Sequence, residues 1–231
     1  MTENNEKTVC LVSGGIDSPV AAAMVSEKKE VVPLHFVLYP YYSEETFAIS
    51  MRTLSKLEKV VNFSQIALFP WKDVMEKIFT SLEEKEKKEY ACILCRKSMF
   101  KAAELVCDKA DASSITTGES LGQKASQTLE NLETTSYGVK YPINRPLMSL
   151  DKEEIVRKSK EMGLYMRQHA GCCNLTPDKP RTQSNPEDIN RLFQEIGLGE
   201  LIEKEAEKID LIDTGETDIY EIFHSRLKEL V

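Results

Sequence analysis

The chain has 231 residues, with 30 Lys and Arg against 38 Asp and Glu, giving a formal net charge of −8. That length suits one large α/β domain, or one domain with a helical extension, and can bury a substantial core. The acidity excludes a surface that is a nucleic-acid footprint throughout, so any RNA affinity must be local or borrowed from a partner. The first seven residues are polar and no apolar run approaches membrane-spanning length. The expectation is therefore a cytoplasmic protein without membrane contact.

In chain order, residues 9–12 read as a short apolar strand that runs straight into Ser13, Gly14, Gly15, Ile16, Asp17 and Ser18. Adjacent glycines let main-chain N–H groups approach an anion closely, and the two serines add hydroxyl donors. Pro19 fits the first turn of an Ala-rich helix over residues 19–25, whose N-terminus would favour negative charge. The pattern predicts a pyrophosphate-binding loop, against the plainer alternative of a Gly-Gly turn. It lacks the Gly-Lys-Ser/Thr ending of a Walker A loop and the Gly-x-Gly-x-x-Gly of dinucleotide folds. A carboxylate at Asp17, among phosphates, makes sense if Mg²⁺ bridges them or if it orients the group that attacks the α-phosphorus.

Further strands are expected at residues 31–38, 65–69 and 114–117, with a fifth at 142–147, separated by helical-period segments such as 45–61 and 99–109. This alternation predicts an α/β fold: a parallel sheet of about five strands with helices on both faces and its ligand beyond the strand C-termini. The Glu/Lys run at residues 83–89 reads as a solvated helix face. Asp151 opens another helix, with Glu154 completing a capping box, that runs to Gly163. Residues 170–186 read as loop, and 186–231 as two or three acidic amphipathic helices. The expected division is a catalytic domain over residues 1–180 and an acidic helical extension over 181–231.

Cysteine supplies a second pattern. Cys92 and Cys95 have the spacing used for zinc, for iron–sulfur clusters and for redox disulfides, and Cys172 and Cys173 follow far along the chain in a loop. His169 could complete a zinc site, although adjacent cysteines rarely ligate one tetrahedral ion. Three thiolates can hold a cubane and leave one iron open. A reduced, merely structural Cys-x-x-Cys pair is the alternative. Cys10 and Cys107 lie in apolar patterns and read as buried.

Several stretches occur in a fixed order: Ser-Gly-Gly-Ile-Asp-Ser-Pro-Val-Ala at residues 13–21, Cys-Ile-Leu-Cys-Arg at 92–96, a sixteen-residue block beginning Thr-Gly-Glu-Ser-Leu-Gly at 117–132, Arg-Pro-Leu at 145–147 and Asp-Lys-Glu-Glu-Ile at 151–155. Together they resemble the PP-loop ATP pyrophosphatase domain of the tRNA 4-thiouridine synthetases, sulfurtransferases also linked to thiamine thiazole synthesis, across residues 8–180. The resemblance implies a Rossmann-like PP-loop fold in which Ser13, Gly14, Gly15, Asp17 and Ser18 hold pyrophosphate. It implies further that Leu11, Val12, His35 and Phe36 line the adenosine and that Arg96, Gly118 and Gln127 complete the nucleotide contacts. The implied chemistry is adenylation of uridine C4 in tRNA by Mg-bound ATP, followed by replacement with sulfur to give 4-thiouridine; a small-molecule acceptor, as in thiazole synthesis, and a non-enzymatic ATP- or cluster-binding module are the alternatives.

The family delivers sulfur either as a cysteine persulfide or through a cluster held by Cys-x-x-Cys and one later cysteine. The resemblance favours a 4Fe–4S cluster on Cys92, Cys95 and Cys172, with Cys173 as the alternative third ligand. It makes Asp17 and Cys172 the catalytic residues and sulfide or a sulfur-donor protein the source. Nothing in the sequence matches the THUMP or rhodanese domains of longer members. The expectation is that a separate THUMP-type protein or a homodimer mate supplies the RNA grip.

Overall fold

A computed structural model gives the fold, with residues 6–170, 173–209, 211–214 and 219 described. Four parallel strands follow the apolar runs closely: β1 (Lys7–Leu11), β2 (Glu30–Val37), β3 (Gln65–Pro70) and β4 (Ser114–Thr116). β5 (Ile143–Asn144) is a two-residue pairing with β4, shorter than its apolar surroundings suggest. The sheet order is β5-β4-β1-β2-β3-β6, and β6 (Leu211–Asp213) alone among these runs antiparallel, against β3. Residues 186–231 read in sequence as two or three acidic helices, and β6 adds a short strand to that segment. Three residues at a sheet edge carry too little periodicity to be read from sequence.

Alternating side chains send β1 into two cores. Val9 and Leu11 join Leu34, Phe69 and Phe100 on one face of the sheet, while Cys10 and Val12 join Val20, Leu54 and Leu68 on the other. The first face is covered by α3 (Lys72–Glu84) and α4 (Ala91–Ala110), and the second by α1 (Asp17–Ser26), α2 (Glu44–Glu58) and α6 (Lys152–Glu161). Strands covered on both faces need apolar residues at nearly every position, which is why they read as continuous runs.

α5 (Leu129–Ser136), α7 (Pro186–Ile196) and α8 (Leu198–Ala206) complete the helices. α7 starts on an Asn185 cap followed by proline, and the left-handed Gly197 turns it into α8. Ile189, Leu192, Ile196 and Ile202 of this pair belong to the same core as β1 and α4. Both reciprocal bonds of the capping box at Asp151 and Glu154 are present. α4 begins well before the expected residue 99, so Cys92 and Cys95 lie in its first turns. Among the described residues no helix is long and apolar enough to cross a membrane.

Candidate nucleotide and thiol site

The loop at residues 13–18 leaves the C-terminal end of β1 and enters α1. Ser18 organises it: its Oγ accepts from Ser13 N at 2.8 Å and lies 3.1 Å from Ser13 Oγ. Ile16 sits at the N-cap of α1 and offers no capping side chain. The helix therefore presents N–H groups without a side-chain acceptor, and its dipole favours an anion there.

Two glycines are explained by close approach. A Cβ on Gly14 would stand 2.4 Å from Ala170 Cβ and 2.6 Å from Ser50 Oγ, so the loop is sandwiched between α2 and the segment before the paired cysteines. Ala170 N donates to Gly14 O at 2.9 Å across that contact. A Cβ on Gly118 would lie 2.5 Å from Ser18 N and 2.6 Å from Ser18 Cα. The chain leaving β4 thus presses its backbone against the start of α1, an approach that only glycine permits.

Leu11, Val12, His35 and Phe36 are all buried at adjacent strand ends. Leu11 and Phe36 face the α4 side, where Phe36 meets the Trp71 ring edge-on at 4.5 Å, and Val12 faces the α1 side. Their side chains fill the core. His35 Nδ1 donates to Val12 O at 2.9 Å, which fixes the tautomer because a carbonyl can only accept. Burial drives His35 down to about 4, against the opposing pull of that hydrogen bond, so the ring is neutral at ordinary pH.

Asp17 does not stand alone. Lys152, the first residue of α6, places its Nζ 2.5 Å from Asp17 Oδ1. Arg96 is held from behind by Glu119, a carboxylate 1% exposed, through an Nε–Oε1 ion pair of 3.4 Å. Arg145 takes the other oxygen, with Nε 2.8 Å from Glu119 Oε2, and also donates to Ser136 Oγ. Thr117 Oγ1 donates to the same Oε2 at 3.1 Å. The 3.4 Å contact is electrostatic rather than a hydrogen bond, so Oε1 keeps acceptor capacity. Gln127 Oε1 and Ser120 Oγ are likewise buried with no hydrogen-bond partner among the described residues. Orphaned polar atoms of this kind mark a place where a ligand or water belongs.

Beyond Arg96 opens a cavity of about 360 Å³, lined by Cys92, Cys95 and Arg96 of α4, by Met75 and Phe79 of α3, and by Cys173 from the far loop. Three cysteines thus share one largely apolar chamber with the Arg96 guanidinium. Cys95 Sγ lies 3.7 Å from Met75 Sδ. Among the described residues no three His, Cys, Asp or Glu side chains converge closely enough to hold an ion. Cys172, the expected third ligand and catalytic cysteine, lies outside the described residues. Cys10 and Cys107 are buried as expected, and burial pushes each thiol up to about 12.

A model of the thiamine biosynthesis protein (ThiI) family matches residues 3–198. The chain belongs to the ThiI family. It is 36% identical over 195 residues to a probable tRNA sulfurtransferase of Methanocaldococcus jannaschii, covering 83% of this chain and 50% of that relative. Another probable tRNA sulfurtransferase, from Oceanobacillus iheyensis, is 33% identical over 189 residues, covering 80% of this chain and 46% of the relative. A solved 4-thiouridine synthetase in complex with RNA and bound ATP shares the fold, with a TM-score of 0.75 and 32% identity over 90% of this chain and 55% of that one. The chain spans about half the length of the curated relatives it matches.

Within this ThiI-family domain the residues without an expected role are Lys152, Glu119, Arg145 and Ser50. Lys152 and Arg145 lie inside stretches that carry the family resemblance, but their partners are 135 and 26 residues away in sequence. No local signal pairs residues at such separations.

Proposed function

We propose that the protein is an ATP-dependent tRNA sulfurtransferase that adenylates uridine C4 and replaces its oxygen with sulfur. The observation that carries this reading is the joining of loop and thiol chamber. Gly14 bonds to Ala170, three residues before Cys173, while Gly118 abuts Asp17 and Ser18 and leads directly to Glu119, which pairs with Arg96 in the lining of the thiol chamber. An adenylating half and a sulfur-handling half so linked would meet at one substrate. The family, the relatives' names and the ATP-bound synthetase of shared fold support the same assignment.

In the first step C4 oxygen attacks the α-phosphorus of ATP, the bond to the β-phosphate oxygen breaks, and pyrophosphate leaves into the donors of residues 13–18. Loop amides, the α1 N-terminus and Arg96 offset the charge that builds up on the phosphates. Mg²⁺ on the phosphates would supply further neutralisation, with Asp17 as its protein oxygen and Lys152 holding that carboxylate in place. The neutral His35 and the orphaned Gln127 Oε1 suit an uncharged adenosine. Hydrosulfide then adds at C4, and the oxygen departs with AMP.

Cys92, Cys95 and a third thiol from Cys172 or Cys173 have the donor chemistry for a 4Fe–4S cluster, and the apolar chamber would shield one. When bound, it would supply an iron site to hold sulfide. With a net charge of −8, most of the tRNA grip is assigned to a THUMP-type partner or a dimer mate in the cytoplasm. The family's description as a thiamine biosynthesis protein favours a second reading, sulfur transfer to a small molecule.

The test is thiolation. Protein reconstituted anaerobically with iron and sulfide, then given ATP, Mg²⁺, sulfide and unmodified tRNA, is expected to yield 4-thiouridine. Product that depends on an added THUMP protein supports the partner arrangement; no product with or without it refutes the tRNA reading.

A further inference from the structure

A second cavity, of about 390 Å³, lies beside the phosphate loop and is lined by Ile49 and Arg52 of α2 and by Met166, Arg167 and Gln168 after α6. Its two walls are the ones that sandwich Gly14. Ser50, next to Ile49, stands against that glycine, and Ala170, three residues after Arg167, bonds to it. Three peptide units reach at most about 11 Å, so the backbone at Arg167 is anchored close to the loop.

The charge pattern is unusual for this chain. Arg52 and Arg167 are exposed, and among the described residues neither forms an ion pair, nor does an acidic side chain line the cavity. Neighbouring cations are committed elsewhere: Lys56 donates to Tyr165 O at 2.8 Å, Lys152 holds Asp17, Arg157 pairs with Glu161 and Lys160 lies over the Tyr165 ring. Two uncompensated guanidiniums in an otherwise acidic protein create a local positive field at the mouth of the site. Their planar forks suit phosphate oxygens, and Ile49 and Met166 offer apolar surface for a sugar between them.

We infer that this cavity is a subsite for the RNA backbone flanking the reacting nucleotide, with Arg52 and Arg167 each taking a phosphodiester. This rests on the RNA-modifying function proposed above. The polyphosphate of ATP is a poorer occupant, because the loop amides and the α1 N-terminus already provide its donors and these arginines lie outside them.

The experiment measures binding of an unmodified tRNA transcript to the full chain, in the presence of ATP, across ~50 to ~200 mM salt, for wild type, Arg52→Ala, Arg167→Ala and the double variant. Each substitution is expected to weaken binding about tenfold. The double variant is expected to flatten the slope of log affinity against log salt by about 1.4 to 1.8, the contribution of two phosphate contacts. Thermal unfolding and ATP affinity should stay at wild-type values. Unchanged tRNA affinity and slope, or no binding by the wild-type chain even with a THUMP protein added, would overturn the subsite. A loss of ATP affinity would also overturn it, by assigning the arginines to the triphosphate. If thiolation fails while arginine-dependent tRNA binding persists, the sulfur-transfer reading falls and the subsite stands; thiolation with arginine-independent binding gives the reverse.

Discussion

Glu119→Gln should cost stability and nucleotide affinity together. The substitution keeps the side chain's shape but removes the charge that faces both Arg96 and Arg145. Glu119 is 1% exposed, whereas the arginines are 25% and 16% exposed at the side chain. Breaking a fully buried pair costs about 3–5 kcal/mol; partial solvation of both guanidiniums and the remaining amide acceptor reduce this to about 2–4 kcal/mol. For a domain of this size each kcal/mol lowers the Tm by about 2–4 °C, so the midpoint should fall by roughly 4–16 °C.

Arg96 loses its anchor in the same variant. A charge-assisted bond to phosphate is worth about 1.5–3 kcal/mol, so ATP binding by calorimetry should weaken about 10- to 150-fold. A cycle with Arg96→Ala separates the two effects: in that background Glu119→Gln should cost little further ATP affinity. Unchanged ATP affinity in Glu119→Gln, or full additivity in the cycle, would refute the clamp.

Gly118→Ala forces a methyl into the backbone of Asp17 and Ser18, and should cost about 1–3 kcal/mol in urea unfolding while raising the Kd for ATP. Lys152→Met leaves Asp17 without its cation; because Lys152 is half exposed, kcat for adenylation should drop with little change in Tm. His35 is held near 4 in the fold against 6.5 ordinarily, so the folded state resists protonation. Stability present above pH 6.5 is then lost as pH falls towards 4, by up to about 3 kcal/mol, and His35→Asn should remove that component from the pH profile of unfolding. Iodoacetamide at pH 8 should leave Cys10 and Cys107 unlabelled in native protein by mass spectrometry and modify both in urea, since burial keeps these thiols protonated.

The sheet was legible because its strands are covered on both faces. Residues 9–12, 31–38 and 65–69 had to be apolar almost throughout, and Gly14 and Gly15 punctuate the first of them. The capping box at Asp151 and Glu154 was legible because it is a four-residue event. The start of α4 was not: the segment holding Cys92 and Cys95 mixes thiols, Arg96 and Lys97, and its apolar stripe emerges only once α3 and α8 pack on it. Glu119 reads in sequence as one acid among 38 acidic residues. Its role depends on Arg96 and Arg145 arriving from other elements, which is tertiary information. The loop motif and the cysteines point in sequence to the proposed chemistry, whereas their neighbours Lys152, Glu119 and Ala170 become visible only through contacts far apart along the chain.

The antiparallel β6 also bears on where the folding unit stops. It pairs with the outer side of β3, and Lys109 pins the turn before it by donating to Ala206 O and Ile209 O at 2.6 and 2.9 Å. A version of the chain trimmed at residue 198, where the family match ends, would strip away this strand with most of α8. The hydrogen-bonding groups of β3 would then be bare on one side, inviting other molecules to add strands there. β6 and the end of α8 therefore form a selvedge: they lie outside the proposed chemistry and cover the edge of the sheet that supports it.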